Sequence, residues 1–378
     1  MMVNDMKELY NRLLTLAAES EAFFFKEDTL DNVIYRIFNY RLASYTEFLK
    51  PGGLECRGIM FEVDAVGDFV RIASRPMAKF FNLYENPLTM DLDLTKVVRL
   101  MDKADGSLIS SYLHNNRVRL KSKGSLNSDQ ANDSNDYFQD KRHNDLLILV
   151  DYLVKQGFTV NFEWCAPHNR IVLAYAEPEL KILNVRHNIT GDYLDIWDGQ
   201  HFGNHTTMVK YRVDHSTHED PVAFLAKVPD MSESIEGFVC EMEDGMFFKI
   251  KTLAYLALHK SKDSINSPRR LYEAVLLEAT DDLRSLFHDD PVAIQLIQDM
   301  EDKVGHLYNH VVDMVEKFYA ANKHLERKEY AIAGQKDLEK KFFGLAMNLY
   351  LDKPFSYKEF MIKRWKDFGI KDVEKVEE

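Results

Sequence analysis

Residues 100–110 read LMDKADGSLIS, and apolar, strand-forming residues flank the central Lys-x-Asp-Gly on both sides. This pattern predicts a strand, a tight turn at Asp105-Gly106 and a second strand. Lys103 would then lie at the mouth of a sheet, where Asp105 could orient its ammonium group or a metal-bound phosphate. Gly106 would let the backbone approach a ligand closely. Two interpretations stay open here: a nucleophilic lysine at a nucleotide pocket, or an ordinary exposed hairpin.

The composition indicates a soluble globular chain without a membrane anchor. The 378 residues suffice for two domains, and 46% of them are hydrophobic while 29% are charged. No apolar run is long enough to span a membrane, and the start, MMVNDMKELY, lacks the features of a signal peptide. The three cysteines are far apart, which argues against a disulfide framework or a zinc site. We therefore expect a cytoplasmic protein.

The charge of the chain is negative overall. With 48 Lys and Arg against 61 Asp and Glu, the formal net charge is −13. A protein of this charge is not an obvious nucleic-acid binder. If it binds RNA, its positive charge must be concentrated locally.

The order of hydrophobic patterns predicts an α+β fold, in which antiparallel strands come first and an all-helical part follows from about Leu253. We expect residues 187–234 to be irregular. The predicted helices are 5–25 and 142–156, residues 33–45 are predicted as a strand followed by a turn, and the other predicted strands are 54–63, 69–74, 117–123, 158–164, 180–186, 237–242 and 245–251.

Charged residues recur at the ends of these predicted strands. Lys249 and Lys251, like Lys121 and Lys123, are two residues apart, so each pair should share one face of its strand. Such a pair is common on a solvated sheet edge. Several cationic strand ends together with isolated carboxylates are more typical of a polyphosphate site with its metal ion. The set comprises Arg57, Lys79, Lys103, Lys121, Lys123, Glu163, Glu236, Lys249 and Lys251.

A chemistry follows from these residue types. A lysine that attacks phosphorus must be neutral, and nearby cations and partial burial both favour the neutral amine. Arg57 and Lys79 could neutralise a departing pyrophosphate. Glu163 and Glu236 could bind a metal ion or a ribose hydroxyl.

Four short motifs, in this order, resemble motifs I, III, IV and V of the covalent nucleotidyltransferases, which are DNA ligases, RNA ligases and capping enzymes. They are Lys103-x-Asp-Gly, Phe-Glu163-Trp, Glu236-Gly-Phe-Val and Lys249-Ile-Lys251. The flanking segments resemble one branch, the ATP-dependent RNA ligase 1 family of T-even-type bacteriophages. Those segments are 55–61 (ECRGIMF), 74–82 (SRPMAKFFN) and 121–125 (KSKGS), and the resemblance covers nearly the whole chain.

The resemblance implies three phosphoryl-transfer steps. Lys103 attacks ATP at the α-phosphorus and becomes a lysyl-AMP. The AMP then moves to a 5′-phosphate RNA end, and a 3′-hydroxyl attacks that end, which seals the strand and releases AMP. The implied substrate is RNA, in particular tRNA nicked in the anticodon loop, with Mg²⁺ as the metal ion.

The resemblance also implies domains and residue roles. It divides the chain into an adenylyltransferase domain, 1–254, and a helical domain for tRNA specificity, 255–378. Ala104 and Trp164 depart from the family's motifs I and III, and neither removes a required functional group. The implied catalytic residues are Lys103, Glu236, Lys249 and Lys251; the implied ATP contacts also include Tyr40, Arg57, Lys79, Asp105, Gly106, Lys123 and Glu163; Glu236 and Asp281 would hold the metal ion, and Tyr255 would serve the later steps.

Several alternatives remain from the sequence. Tyr40 fits a half-buried strand tyrosine, and Asp281-Asp282 fits the cap of a helix that begins near Leu283. The histidines between His187 and His218 are spaced too irregularly for a clear metal site. The chain could also be a related ligase or capping transferase with another acceptor, or an RNA-binding module that has lost catalysis. We expect a monomer.

Overall fold

The computed structural model describes residues 2–169, 171, 173–197, 206–232, 234–258, 265 and 267–370. The chain forms two compact units, Met1–His259 and Lys260–Glu378. In the described residues, no helix is long and apolar enough to cross a membrane.

The first unit mixes strands with short helices. Its helices are α1 (Met2–Glu19), α2 (Tyr45–Phe48), α3 (Pro87–Met90), α4 (Asp129–Gln139), α5 (Asn144–Lys155), α6 (Thr206–Tyr211), α7 (Pro221–Leu225) and α8 (Leu253–Leu258). Its strands are β1 (Phe23–Leu30), β2 (Val33–Tyr40), β3 (Ile59–Val63), β4 (Phe69–Ser74), β5 (Phe81–Asn82), β6 (Val97–Asp102), β7 (Ser107–His114), β8 (Arg117–Ser122), β9 (Phe158–Cys165), β10 (Glu179–His187), β11 (Tyr193–Leu194), β12 (His215–Ser216), β13 (Gly237–Met242) and β14 (Phe247–Lys251).

These strands form three sheets. Their orders are β1-β2-β3-β4, β11-β10-β9-β7-β8 and β12-β6-β13-β14-β5. All named strand pairs are antiparallel except β14 and β5, which run parallel. Helix α5 lays its apolar face on the second sheet, where Leu149, Val150 and Leu153 pack against Val160 and Phe162. The predicted α+β class with antiparallel sheets is confirmed.

The predicted hairpin around Lys103 is wrong. Strand β6 pairs with β12 and β13, whereas β7 pairs with β8 and β9, so the two strands belong to different sheets. Residues 103–106 therefore connect two sheets instead of turning within one. Gly106 has no positive φ, and it is required for another reason: a Cβ atom there would lie 2.2 Å from the carbonyl oxygen of Trp164.

Other differences from the sequence predictions are local. The strand expected over 54–63 starts only at Ile59, because Gly53–Glu55 form a 3₁₀ turn. Strand β8 ends at Ser122, so Lys121 lies in the strand and Lys123 lies beyond it. Helix α4 was not predicted, since its polar sequence carries few apolar residues. The segment 187–234 contains only short elements in its described part.

The second unit is helical, as predicted. Its helices are α9 (Pro268–Leu276), α10 (Thr280–Leu286), α11 (Pro291–Asn322), α12 (Arg327–Asp337), α13 (Phe343–Tyr350) and α14 (Tyr357–Lys363). Leu271 and Ala274 of α9, Leu283 of α10 and Ile297 of α11 form a buried cluster within the unit. Because α10 begins at Thr280, Asp281 lies in its first turn and is not its N-cap residue.

Candidate active site

Lys103 forms an ion pair with a buried carboxylate. Its Nζ lies 2.7 Å from Oε1 of Glu236, whose side chain is only 2% exposed. The backbone fixes this arrangement, because the amide of Lys103 donates to the carbonyl oxygen of Gly237, next to Glu236 on β13. The side chain of Lys103 is 22% exposed and thus accessible to a ligand.

The two lysines of strand β14 lie at the same carboxylate. Gly237 pairs with Lys251 and Val239 with Lys249 in the β13–β14 register. Nζ of Lys251 lies 3.4 Å from Oε1 of Glu236, and Lys249 acts electrostatically on Glu236 as well. The predicted placement of both lysines on one strand is therefore what the structure shows, and they converge on the partner of Lys103.

The two carboxylates of the site differ in their pKa values. Burial acts to raise the pKa of Glu236, but Lys103, Lys251 and Lys249 outweigh it and hold the pKa below its usual range. Burial raises the pKa of Glu163 to about 7, and the neighbouring Glu236 adds to this effect while Lys103 and Arg57 oppose it. At neutral pH, Glu236 is thus ionised and Glu163 is close to its titration midpoint.

The raised pKa of Glu163 predicts a pH-dependent stability. Between its ordinary value of 4.5 and about 7, folded Glu163 retains a proton that the unfolded chain has released. The free energy of unfolding should therefore decrease as the pH rises through this window, by about 1–3 kcal/mol relative to Glu163→Gln. Denaturant unfolding of both proteins at pH 4.5, 6 and 8 measures the difference. Parallel pH dependences in the two proteins would contradict the assignment.

Arg57 contributes a guanidinium beside this centre. It stacks over the ring of Phe80, with Cζ 5.4 Å from the ring centroid, and acts electrostatically on Glu163. Among the described residues, its Nη1 and the Oε2 of Glu236 are buried without a hydrogen-bond partner. A buried unused donor and a buried unused acceptor are what a phosphate and a metal ion, respectively, would satisfy.

This donor set fits Mg²⁺ only in company with a phosphate ligand. No group of three or more His, Cys, Asp or Glu side chains suited to a metal ion occurs in the described part of the chain. Mg²⁺ is commonly held by one or two carboxylates together with substrate phosphates and water. Glu236 could supply the one carboxylate here.

A second group of cations lies against aromatic rings. Nζ of Lys123 lies 4.3 Å from the ring centroid of Tyr40. Nζ of Lys79 lies over the rings of Tyr40, Phe48 and Phe81, at 5.6, 5.3 and 5.4 Å from their centroids. Lys79 precedes Phe80, on which Arg57 stacks. The structure therefore brings Tyr40, Lys79 and Lys123 together beside Arg57.

Asp105 is buried and braces the Lys103 connection. Its Oδ1 accepts from the hydroxyl of Tyr255 at 2.9 Å, and its Oδ2 accepts from the amide of Leu173 at 2.6 Å. Its own amide donates to the hydroxyl oxygen of Tyr175 at 3.0 Å. These contacts tie helix α8 and the segment after β9 to the residues that follow Lys103. Tyr255 thereby helps to fix the position of Lys103 indirectly, through its hydrogen bond to Asp105.

Two residues at this centre were missed by the sequence analysis or placed differently. No sequence pattern indicates a role for Tyr175, because its hydroxyl contacts the amide of Asp105, which lies far away in the sequence. Lys121 was expected to share one strand face with Lys123, either at a solvated edge or at a polyphosphate site, yet it is fully buried and Lys123 lies beyond the strand. Asp281 is half-buried in the helical unit, where its Oδ1 accepts from the amide of Asp282.

Two family models match the chain in succession. Residues 55–254 match a model described as RNA ligase, and residues 262–375 match a model described as the C-terminal domain of T4 RNA ligase 1. The first match contains the Lys103 centre, and the second covers the helical unit.

Individual proteins show the same similarity. The chain is 30% identical over 275 residues to a protein of Thermovibrio ammonificans assigned as an RNA ligase, covering 70% of this chain and 68% of that protein. It is 28% identical over 250 residues to RNA ligase 1 of bacteriophage TS2126, covering 63% of this chain and 59% of that one. Among solved structures, an archaeal ATP-dependent RNA ligase matches with a TM-score of 0.47 and 12% identity over 84% of both chains.

Proposed function

The chain belongs to the RNA ligase family of the T4 RNA ligase 1 type, and from this premise we propose that it joins 5′-phosphate and 3′-hydroxyl RNA ends with ATP, through a lysyl-AMP and an RNA-adenylate. The observation that carries the proposal is the ion pair of Lys103 with Glu236, beside Lys251, Lys249 and the unused nitrogen of Arg57. An amine for nucleophilic attack and cations for a departing pyrophosphate are thus held together.

In the first step, Lys103 Nζ forms a bond to the α-phosphorus of ATP and the bond from that phosphorus to pyrophosphate breaks. The attacking amine must be neutral, and its proton passes to water, which reaches the partly exposed side chain of Lys103. Lys249 and Lys251 compete for the same carboxylate and neutralise the charge of the departing group. Mg²⁺ bound at Glu236 would supply further positive charge at the phosphates.

In the second and third steps the RNA ends react. A phosphate oxygen of the 5′-end attacks the phosphorus of the lysyl-AMP, which frees Lys103 and forms the RNA-adenylate. The 3′-hydroxyl then attacks the phosphorus of the RNA end, loses its proton, and releases AMP. Arg57 and Lys123 are cations available to the charged RNA end, because Arg57 has an unused nitrogen and Lys123 is only half-buried.

Incubation with ATP labelled at the α-phosphate and Mg²⁺, followed by denaturing electrophoresis, tests the proposal. A labelled protein band that disappears when 5′-phosphate RNA is added, with formation of a joined product, is the expected result. Absence of label on a folded protein would contradict an adenylylating ligase. It would favour an RNA-binding module without catalysis.

We further propose that the helical unit selects structured RNA, in particular a nicked tRNA anticodon loop. The segment 323–366 contains eleven Lys and Arg against six Asp and Glu, in a chain whose net charge is −13. Most of these basic side chains are exposed, for example Lys323, Lys340 and Lys363. This local excess of positive charge supports a contact with RNA phosphates.

A fragment ending at His259 should separate the two tasks. We expect it to retain self-adenylylation but to seal a nicked tRNA anticodon loop at least about tenfold less well, relative to a short linear RNA, since only the tRNA would lose phosphate contacts. Both substrates must be measured at one salt concentration, after circular dichroism has shown that the fragment is folded.

The structure also provides a control fragment for this experiment. A cut at Thr252 removes α8 and with it the hydroxyl of Tyr255 that donates to Asp105. We expect this shorter fragment to lose self-adenylylation as well. Equal losses on tRNA and linear RNA by the longer fragment would mean that the helical unit is a general stabiliser.

A further inference from the structure

Lys121 is a fully buried lysine whose side-chain nitrogen donates hydrogen bonds to backbone carbonyl oxygens. Its Nζ donates to the carbonyl oxygen of Gly58 at 2.7 Å and to that of Ser122 at 3.2 Å. Burial lowers its pKa to about 7. Its neighbour Leu120 points to the opposite face of β8, into the core of the second sheet. Burying a lysine costs stability unless its N–H groups find acceptors, and the carbonyl oxygens of Gly58 and Ser122 are those acceptors here.

The carbonyl that Lys121 binds belongs to a tight junction of three chain segments. The amide of Gly58 donates to the carbonyl oxygen of Phe38, at the end of β2. Gly58 has φ of +92°, and a Cβ atom there would lie 2.5 Å from the carbonyl oxygen of Lys123. That same oxygen accepts from Nδ2 of Asn39 at 2.9 Å. Segments 38–40, 57–58 and 121–123 are therefore held against one another by hydrogen bonds to backbone carbonyl oxygens.

Each of these segments carries one cation or aromatic side chain of the site. Tyr40 follows Asn39, Arg57 precedes Gly58, and Lys123 lies two residues after Lys121. The ring of Tyr40 packs against Nζ of Lys123. On the far side of Arg57, the backbone is anchored by Glu55, which is paired with Arg75 and Arg186. Lys121 is the anchor on the near side.

We propose that Lys121 is a positioning residue of the ligase, which holds the Arg57–Gly58 segment against the end of β8 so that Arg57 meets the phosphates that react when the RNA-adenylate forms. The inference rests on the proposed function. It assigns to Lys121 no contact with the substrate. Its effect on the reaction passes through Gly58 to Arg57.

Lys121→Met tests this role, because methionine fills a similar volume without an N–H donor. We expect the rate of RNA-adenylate formation per folded protein to fall by roughly ten- to a hundredfold, the scale of a small misplacement of a reacting group. Leu120→Ala is the matched control, since it lies on the same strand, equally buried, and faces the core. Corrected for its folded fraction, it should stay within about threefold of wild type.

A double-mutant cycle with Arg57→Ala distinguishes positioning of Arg57 by Lys121 from a general contribution of Lys121 to the stability of the fold. If Lys121 acts through Arg57, the double variant should be no slower than Arg57→Ala alone within about threefold. Losses that multiply would overturn the proposal, and so would a Lys121→Met protein that behaves like Leu120→Ala. If Lys121→Met does not fold, Asn39→Ala weakens the same junction from its other side and should show the same dependence on Arg57. A wild-type protein that forms no lysyl-AMP would instead contradict the proposed function itself.

Discussion

Lys103→Ala is expected to abolish transfer of AMP from ATP to the protein, with a loss of about 10⁴-fold or more, the scale seen when a covalent nucleophile is removed. Lys103 is the lysine paired at 2.7 Å with the buried Glu236, and it lies on a connection between two sheets. The fold should survive, since Glu236 keeps Lys251 as a partner. Labelling with α-labelled ATP measures the loss, and thermal unfolding checks the fold.

Two further variants sharpen this result. Lys103→Arg should fail equally, because a guanidinium stays protonated and is a poor nucleophile. Lys155→Ala is a suitable control, because Lys155 lies on α5 and pairs with Asp151 at an exposed surface. It should be labelled as strongly as wild type. A labelled Lys103→Ala protein would show that another lysine is the nucleophile.

A pre-adenylylated RNA separates this nucleophile from the sealing step. Lys103→Ala should still join such an RNA to a 3′-hydroxyl end, because the third step does not need a free lysine. Failure of sealing in a folded Lys103→Ala protein would mean that the Lys103–Glu236 pair also organises the final attack.

Local patterns predicted much of this fold. The strands predicted over 69–74, 237–242 and 245–251 correspond to β4, β13 and β14. Such patterns report short-range structure, in which neighbouring strands follow each other directly. They also placed Lys249 and Lys251 on one face.

Non-local pairing lay outside what these patterns could provide. Nothing near Lys103 in the sequence indicates that β6 pairs with β13, more than 130 residues later, instead of with β7. Asp105-Gly106 looked like turn chemistry, although Asp105 is held by Leu173, Tyr175 and Tyr255 from distant segments. Burial of Lys121 depends likewise on Gly58. Residue types could therefore indicate which residues form the site. The contacts that each of them makes could be known only from the tertiary structure.

Lys249 and Lys251 of β14, which both act on Glu236, should each be necessary for self-adenylylation. Neutralising either one, by Lys249→Ala or Lys251→Ala, should cost roughly a hundredfold or more in self-adenylylation, the effect of removing one preorganised electrostatic contact. Lys26→Ala is the matched control, because Lys26 is an exposed lysine on the edge strand β1. Near-normal labelling of both β14 variants would mean that this pair has no part in the reaction and is only an ordinary pair of lysines on a solvated sheet edge.

The structure also predicts that the two β14 variants differ in stability. Lys251, whose side chain is only 11% exposed, has its Nζ 3.4 Å from Oε1 of buried Glu236, and it acts more strongly on that carboxylate than Lys249 does. Lys251→Ala should therefore lower the free energy of unfolding by about 1–3 kcal/mol, because it removes a cation 3.4 Å from a buried carboxylate. Lys249→Ala should lower it by less, because Lys249 acts more weakly on Glu236. Denaturant unfolding at pH 7 measures both values. If both variants lose the same activity but differ in stability in this way, two roles can be told apart. Both lysines would neutralise charge in the reaction, and Lys251 would in addition stabilise the buried Glu236. Equal stabilities would contradict this difference between the two lysines.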